Sequence, residues 1–182
     1  MADFEIVLTL HGLRDIGKFD IVTTSENREK VTAQSGLKFV PDMQISELND
    51  TFLEECVGLL IPGGPINPSQ NAICPIIQYM EKKDKVIAAL CFAPQFLGRA
   101  GILKNHRFTT TCSRQYIERS GFEDPFFRDN YEEKRMVMDK NILTAKGLTF
   151  VDVAEKISEI FNVFESNNAR AAYFNEVREG WY

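Results

Sequence analysis

The chain reads as an α/β domain built on a doubly wound, mostly parallel sheet with helices on both faces. Three observations predict this. Residues 56–61 and 86–90 are nearly unbroken apolar runs, as strands covered on both faces require. Helical spacing follows each run, over about 71–82 and 92–100, so strands and helices alternate. The 182 residues, 44% hydrophobic and 26% charged, suit one globular domain with room for a core.

Taken in order, residues 3–13 predict a helix, with Phe4, Val7, Leu8 and His11 on one stripe and Gly12 near its end. A short strand is expected over 19–24, and a hairpin-like excursion over 30–40 that breaks at Gln34-Ser35-Gly36. Residues 45–53 hold one helical turn. Cys56 opens the first buried strand, which stops at Pro62-Gly63-Gly64-Pro65, and Cys74 falls in the following helix. The strand 86–90 runs into Cys91, and Pro94 and Gly101 suit the start and stop of the next helix. A β-branched strand is expected over 108–111 and a short helix over 114–120, ending at Gly121. Residues 122–131, aromatic and charged, carry no assignment. Residues 135–138 and 142–145 flank a tight turn at Asp139-Lys140-Asn141. Amphipathic helices are expected over 150–161 and 168–177. No repeat or linker divides the chain, so residues 1–182 form one domain with a helical tail over 165–182.

The net charge of −5 and the lack of a Lys/Arg cluster argue against a nucleic-acid surface. No apolar run approaches the roughly 20 residues that span a bilayer. The first residues show neither a basic leader nor a small-residue cleavage site, so a cytoplasmic location is expected. Cys56, Cys74, Cys91 and Cys112 form no CxxC pair, and with only His11 and His106 beside them no metal site or cofactor is expected.

Cys91 is the candidate nucleophile. It sits where a buried strand turns into a helix, between Ala89 and Ala93, residues small enough to let the backbone pass through a nucleophile elbow. The helix N-terminus favours a thiolate, so a lowered thiol pKa is expected. A buried structural cysteine is the bland alternative. The carboxyl ends of parallel strands form the crevice of such folds, and Cys91, Gly63-Gly64 and the residues after Thr111 meet there. N–H groups of Gly63, Gly64 and Phe92 are placed to hold an oxyanion.

The pieces Ala2-Asp3-Phe4-Glu5, Leu59 to Gly64, Ile87 to Cys91, Ala100 to Leu103 and Asp139 to Gly147 together resemble the ThiJ/PfpI family of the class I glutamine amidotransferase-like superfamily. The resemblance covers roughly residues 2 to 163. It implies a flavodoxin-like sandwich, a homodimer, and a nucleophilic or oxidisable Cys91 paired with Glu5. Two departures accompany it. Thr111 stands where many family enzymes carry a histidine, and His106 precedes its strand, near the opposite sheet edge. The family's first strand is not found before the helix that bears Glu5, so an interior strand is expected to be missing unless a segment upstream or a partner chain supplies it.

The expected function is that of a small-molecule hydrolase or glyoxalase-like lyase acting on amides or reactive carbonyls through Cys91. One alternative is a non-catalytic redox or stress-response protein whose cysteine is oxidised. Another is a protease-like or interaction protein using the aromatic tail Tyr173, Phe174, Trp181 and Tyr182.

Overall fold

A computed structural model describes residues 1–66 and 71–180; Trp181 and Tyr182 of the aromatic tail lie outside them. In chain order the strands are β1 (Thr24–Ser25), β2 (Val31–Thr32), β3 (Lys38–Phe39), β4 (Met43–Gln44), β5 (Gly58–Ile61), β6 (Val86–Leu90), β7 (Met136–Asp139) and β8 (Ile142–Ala145). The α-helices are α1 (Val7–His11), α2 (Asp50–Glu55), α3 (Cys74–Lys82), α4 (Pro94–Arg99), α5 (Arg114–Ser120), α6 (Phe150–Ile160) and α7 (Asn167–Glu179).

Among the described residues the main sheet has four strands in the order β5-β6-β8-β7. β5, β6 and β8 run parallel, and β7 returns antiparallel through the two-residue turn Lys140-Asn141. β6 is the interior strand. Ile87 and Ala89 face one core with α3 and α4, whereas Ala88 and Leu90 face a second core with α6. This two-sided burial explains why residues 86–90 carry no polar alternation.

The hairpin over 30–40 forms as β2 and β3, Val31 opposite Phe39. Several expectations need correction. The strand over 19–24 shrinks to Thr24–Ser25, paired with Met43–Gln44 in a separate two-stranded sheet. Cys56 closes α2 instead of opening β5. The run 108–111 is not a strand: only Phe108 bridges, to Tyr131, and the threonines turn their bonding elsewhere. Thr109 N–H donates to Thr144 Oγ1 at 2.9 Å, and Thr111 N–H to the Cys91 carbonyl at 3.0 Å. A segment whose amides bond side chains and a turn cannot build a ladder.

The first helix is also different. Asp3–Glu5 is a 3₁₀ turn, α1 follows, and Gly12–Ile16 is a π turn. Ala2, Asp3, Glu5, Thr9 and Gly12 face inward, while Phe4, Val7 and His11 are exposed. The apolar stripe therefore faces out, because Glu5 is drawn inward by the Gly63 N–H and Asp3 by Ser35.

Beyond β5 no strand pairs among the described residues. Leu59 and Leu60 stay half-buried, although β5 is as apolar as β6. Met1 and Ala2 lie past the end of β5, where Ala2 N–H donates to the Gly63 carbonyl at 2.8 Å and the Met1 carbonyl accepts the Gln34 N–H at 3.0 Å. α7 packs on α6 and buries Phe174 against Phe164 and Tyr173.

Candidate active site

Cys91 follows the last residue of β6 and has φ +57°, in the left-handed region that side chains avoid. That backbone costs roughly 1–3 kcal/mol and persists only where its surroundings hold it. Here three bonds do. Cys91 N–H donates to the Ala145 carbonyl at 2.8 Å, and its own carbonyl accepts from Thr111 N–H at 3.0 Å and Thr110 Oγ1 at 2.6 Å. Ala89 and Ala93 are fully buried at the elbow, as a tight strand-to-helix turn requires.

Glu5 lies against the sulfur. Its carboxylate is 1% exposed and accepts the Gly63 N–H at 2.7 Å. Gly63 has no room for a side chain: a Cβ would meet Cys91 Cβ at 2.6 Å and Glu5 Oε2 at 2.7 Å. Gly147, just past β8, closes the other side, where a Cβ would lie 2.7 Å from Glu5 Oε1 and 3.2 Å from Cys91 Sγ. Two glycines from two strand ends thus let the carboxylate and the sulfur approach.

Thr111 hydrogen-bonds Cys91 through its hydroxyl, and that oxygen accepts the Gly147 N–H at 3.1 Å. With a lone pair so engaged, the hydroxyl proton is directed at the sulfur. The Phe92 N–H also faces the sulfur.

Burial raises the proton affinity of Glu5 above the usual carboxylate value, opposed by the Gly63 N–H and by its contact with Cys91. The Cys91 thiol is pushed up to about 11, first by burial and next by the charge of Glu5, while the Thr111 hydroxyl and Phe92 N–H pull it down. This corrects the expected lowered thiol pKa. Desolvation and a neighbouring carboxylate outweigh the end of α4, a helix of fewer than two turns. The pair holds a proton between thiol and carboxylate, with the thiol donating to Glu5.

Of the residues expected to meet here, Cys91, Glu5, Gly63, Phe92 and Thr111 do. The Gly63 N–H, expected to face an oxyanion, is instead engaged by Glu5. Gly64 sits beside Met1, one residue further from the sulfur. Neither histidine reaches the site: His11 pairs with Asp15 on the surface, and His106 is buried with Nε2 3.3 Å from Glu81 Oε1, at the end of α3 that precedes β6. Gly147 is a site residue that the motifs do not mark, although its place two residues past a parallel strand is a usable signal. All four cysteines are free thiols, and no group of three His, Cys, Asp or Glu residues among those described is placed to hold a metal ion.

A parallel-rich sheet that presents a strained cysteine beside a buried glutamate at the strand ends defines a class of flavodoxin-like α/β proteins with a cysteine elbow. The DJ-1/PfpI family profile matches residues 1–160, and the chain belongs to that family. A protein of Thermococcus kodakarensis named deglycase is 28% identical over 126 residues, covering 66% of this chain and 73% of its own length. A Bacillus subtilis protein named uncharacterized protease YoaZ is 25% identical, covering 88% and 75%. Among solved structures, a DJ-1 superfamily protein from Agrobacterium tumefaciens superposes with a TM-score of 0.80 at 22% identity, over 97% of this chain and 93% of that one. Oxidised Toxoplasma gondii DJ-1 gives 0.71 at 23% identity, over 99% and 93%. These structures share the fold.

Proposed function

We propose that the protein is a Cys91-dependent enzyme acting on small uncharged carbonyl or amide compounds, by hydrolysis or by glyoxalase-like hydration. The observation that carries this reading is the buried Glu5 carboxylate against the Cys91 sulfur, with the Thr111 hydroxyl and the Phe92 N–H turned to the same atom. Relatives named deglycase or protease are consistent with it.

In this mechanism the thiol gives its proton to Glu5 as sulfur attacks the carbonyl carbon. The C–S bond forms, the carbonyl π electrons pass to oxygen, and the oxyanion is met by the Phe92 N–H. Glu5 then returns the proton, to the amine that leaves an amide or to the oxygen of an adduct that rearranges to a thioester. Water adds to the thioester carbon with its proton taken by Glu5, the C–S bond breaks, and the sulfur recovers that proton as the acid leaves. A carboxylate whose pKa is raised toward the working pH is the better base for such a transfer, and it stands in for the imidazole that Thr111 does not supply. Water exclusion around Glu5 keeps the proton within the pair.

The test is consumption of a reactive dicarbonyl, with Cys91→Ser as the control. Turnover that is lost in Cys91→Ser supports the reading, and equal loss of substrate with both proteins overturns it. A second reading is favoured by the donors around the sulfur: Phe92 N–H and the Thr111 hydroxyl would also hold the oxygens of an oxidised Cys91, as in a redox protein without turnover. Mass spectrometry after mild peroxide separates the two, since selective oxygen addition at Cys91 with no turnover favours the redox role. Association as a homodimer is part of the proposal, supported by the exposed apolar residues Phe4, Val7 and Leu148 beside the site.

A further inference from the structure

We propose that Phe92 and Tyr116 form a subsite for a flat apolar group, so that the compounds taken by Cys91 are carbonyl compounds bearing an aryl or similarly planar substituent. The inference rests on the proposed function and adds the substrate class.

Phe92 directly follows the nucleophile, and its N–H faces the sulfur while its ring is half-buried. Tyr116 stands on the first turn of α5, five residues beyond Thr111, whose hydroxyl reaches the same sulfur. The two rings meet edge to face, with centroids 5.0 Å apart and planes at 67°. Two chain segments that each contribute a group to the sulfur therefore also contribute the two rings of one aromatic pair.

The exposure of these residues increases outward. Glu5 is 1% exposed, Cys91 and Phe92 are half-buried, and Tyr116 is 44% exposed. An edge-to-face pair leaves ring surface able to take a third planar group, and such contacts add to the burial of apolar area. Ser113 caps α5 by accepting the Tyr116 N–H at 3.1 Å, which fixes the backbone that carries the ring. The charge acting on the sulfur is that of Glu5, which disfavours a substrate anion and suits a neutral ketone or aldehyde.

The experiment compares two α-bromo ketones, phenacyl bromide and bromoacetone, as alkylating agents read at the Cys91 peptide by mass spectrometry. In each case sulfur displaces bromide: the S–C bond forms, the C–Br bond breaks, bromide leaves, and the thiol proton passes to Glu5 and then to solvent. Rates are divided by those of N-acetylcysteine, which removes the intrinsic reactivity of each reagent. Wild-type protein is expected to favour phenacyl bromide at least tenfold after this correction, with rates that saturate. Tyr116→Ala is expected to lose most of the preference and Tyr116→Phe to keep it.

Equal corrected rates in the wild type, or a preference unchanged in Tyr116→Ala, would overturn the subsite. Alkylation needs no turnover, so the result is independent of the dicarbonyl assay. A protein that selects the aryl reagent but turns nothing over keeps the subsite and loses the enzyme reading. One that turns over small dicarbonyls without selecting the aryl reagent does the reverse.

Discussion

At the scale of single residues the site depends on close approach. Gly63→Ala forces a methyl group into the space between Cys91 Cβ and the Glu5 carboxylate. Overpacking of this kind costs about 1–3 kcal/mol, and separating the pair abolishes proton transfer. The expected outcome is a lower melting temperature together with loss of turnover, read by calorimetry and the dicarbonyl assay. Thr111→Val removes a hydroxyl that holds the thiol pKa down, so the inflection of Cys91 alkylation against pH is expected to move higher. Thr111→Ser is expected to leave it near its place.

Glu5 also links pH to stability. Its proton is bound more tightly in the folded chain than in the unfolded one, so it favours the folded state where it is protonated. That contribution is full below the ordinary carboxyl value and is lost as pH rises through the raised folded value. Glu5→Gln stays uncharged throughout and is expected to flatten this part of the profile, measurable as urea midpoints from the ordinary carboxyl range upward in pH.

At the scale of elements, most of what frames the site was legible in the chain. An apolar run ending in Cys91, alanines on either side and Pro94 beyond required an elbow, and Cys91 has φ +57° there. The turn between β7 and β8 was equally plain. Two errors share one physical origin, the competition of side chains for backbone groups, and a third comes from desolvation. The β-branched residues 108–111 have strand propensity, yet their amides bond Thr144 and the turn at Cys91. The stripe of Phe4, Val7, Leu8 and His11 has helical period, yet the buried carboxylates Asp3 and Glu5 turn the helix the other way. The helix dipole was visible at Cys91, but the desolvation that outweighs it depends on packing that no local pattern records.

The tail illustrates the same point. Phe174, whose aromatic tail suits either a partner or its own domain, is 1% exposed within its own chain, between Phe164 and Tyr173. Phe174→Ala is expected to cost about 3–5 kcal/mol, seen as early melting of α7 in hydrogen exchange.

At the scale of the whole molecule the sheet has an unfinished side. β5 pairs with β6 alone among the described residues, and its outer backbone groups and half-buried leucines offer a place for another strand. Such edges promote association. The 182-residue chain is therefore expected to sediment with a mass that rises with concentration. Leu59→Lys is expected to reduce that tendency. A concentration-independent monomer would show the edge to be harmless.

The central claim is that one proton is held between Cys91 and Glu5, with the thiol as its resting place. The direct measurement is the rate of Cys91 alkylation by iodoacetamide as a function of pH, in the wild type and in Glu5→Gln. The account predicts a wild-type inflection near the value of about 11 set by burial and the Glu5 charge, and a lower inflection once that charge is removed. A wild-type inflection at or below the ordinary thiol value of 9.0, or one that Glu5→Gln leaves in place, would contradict it.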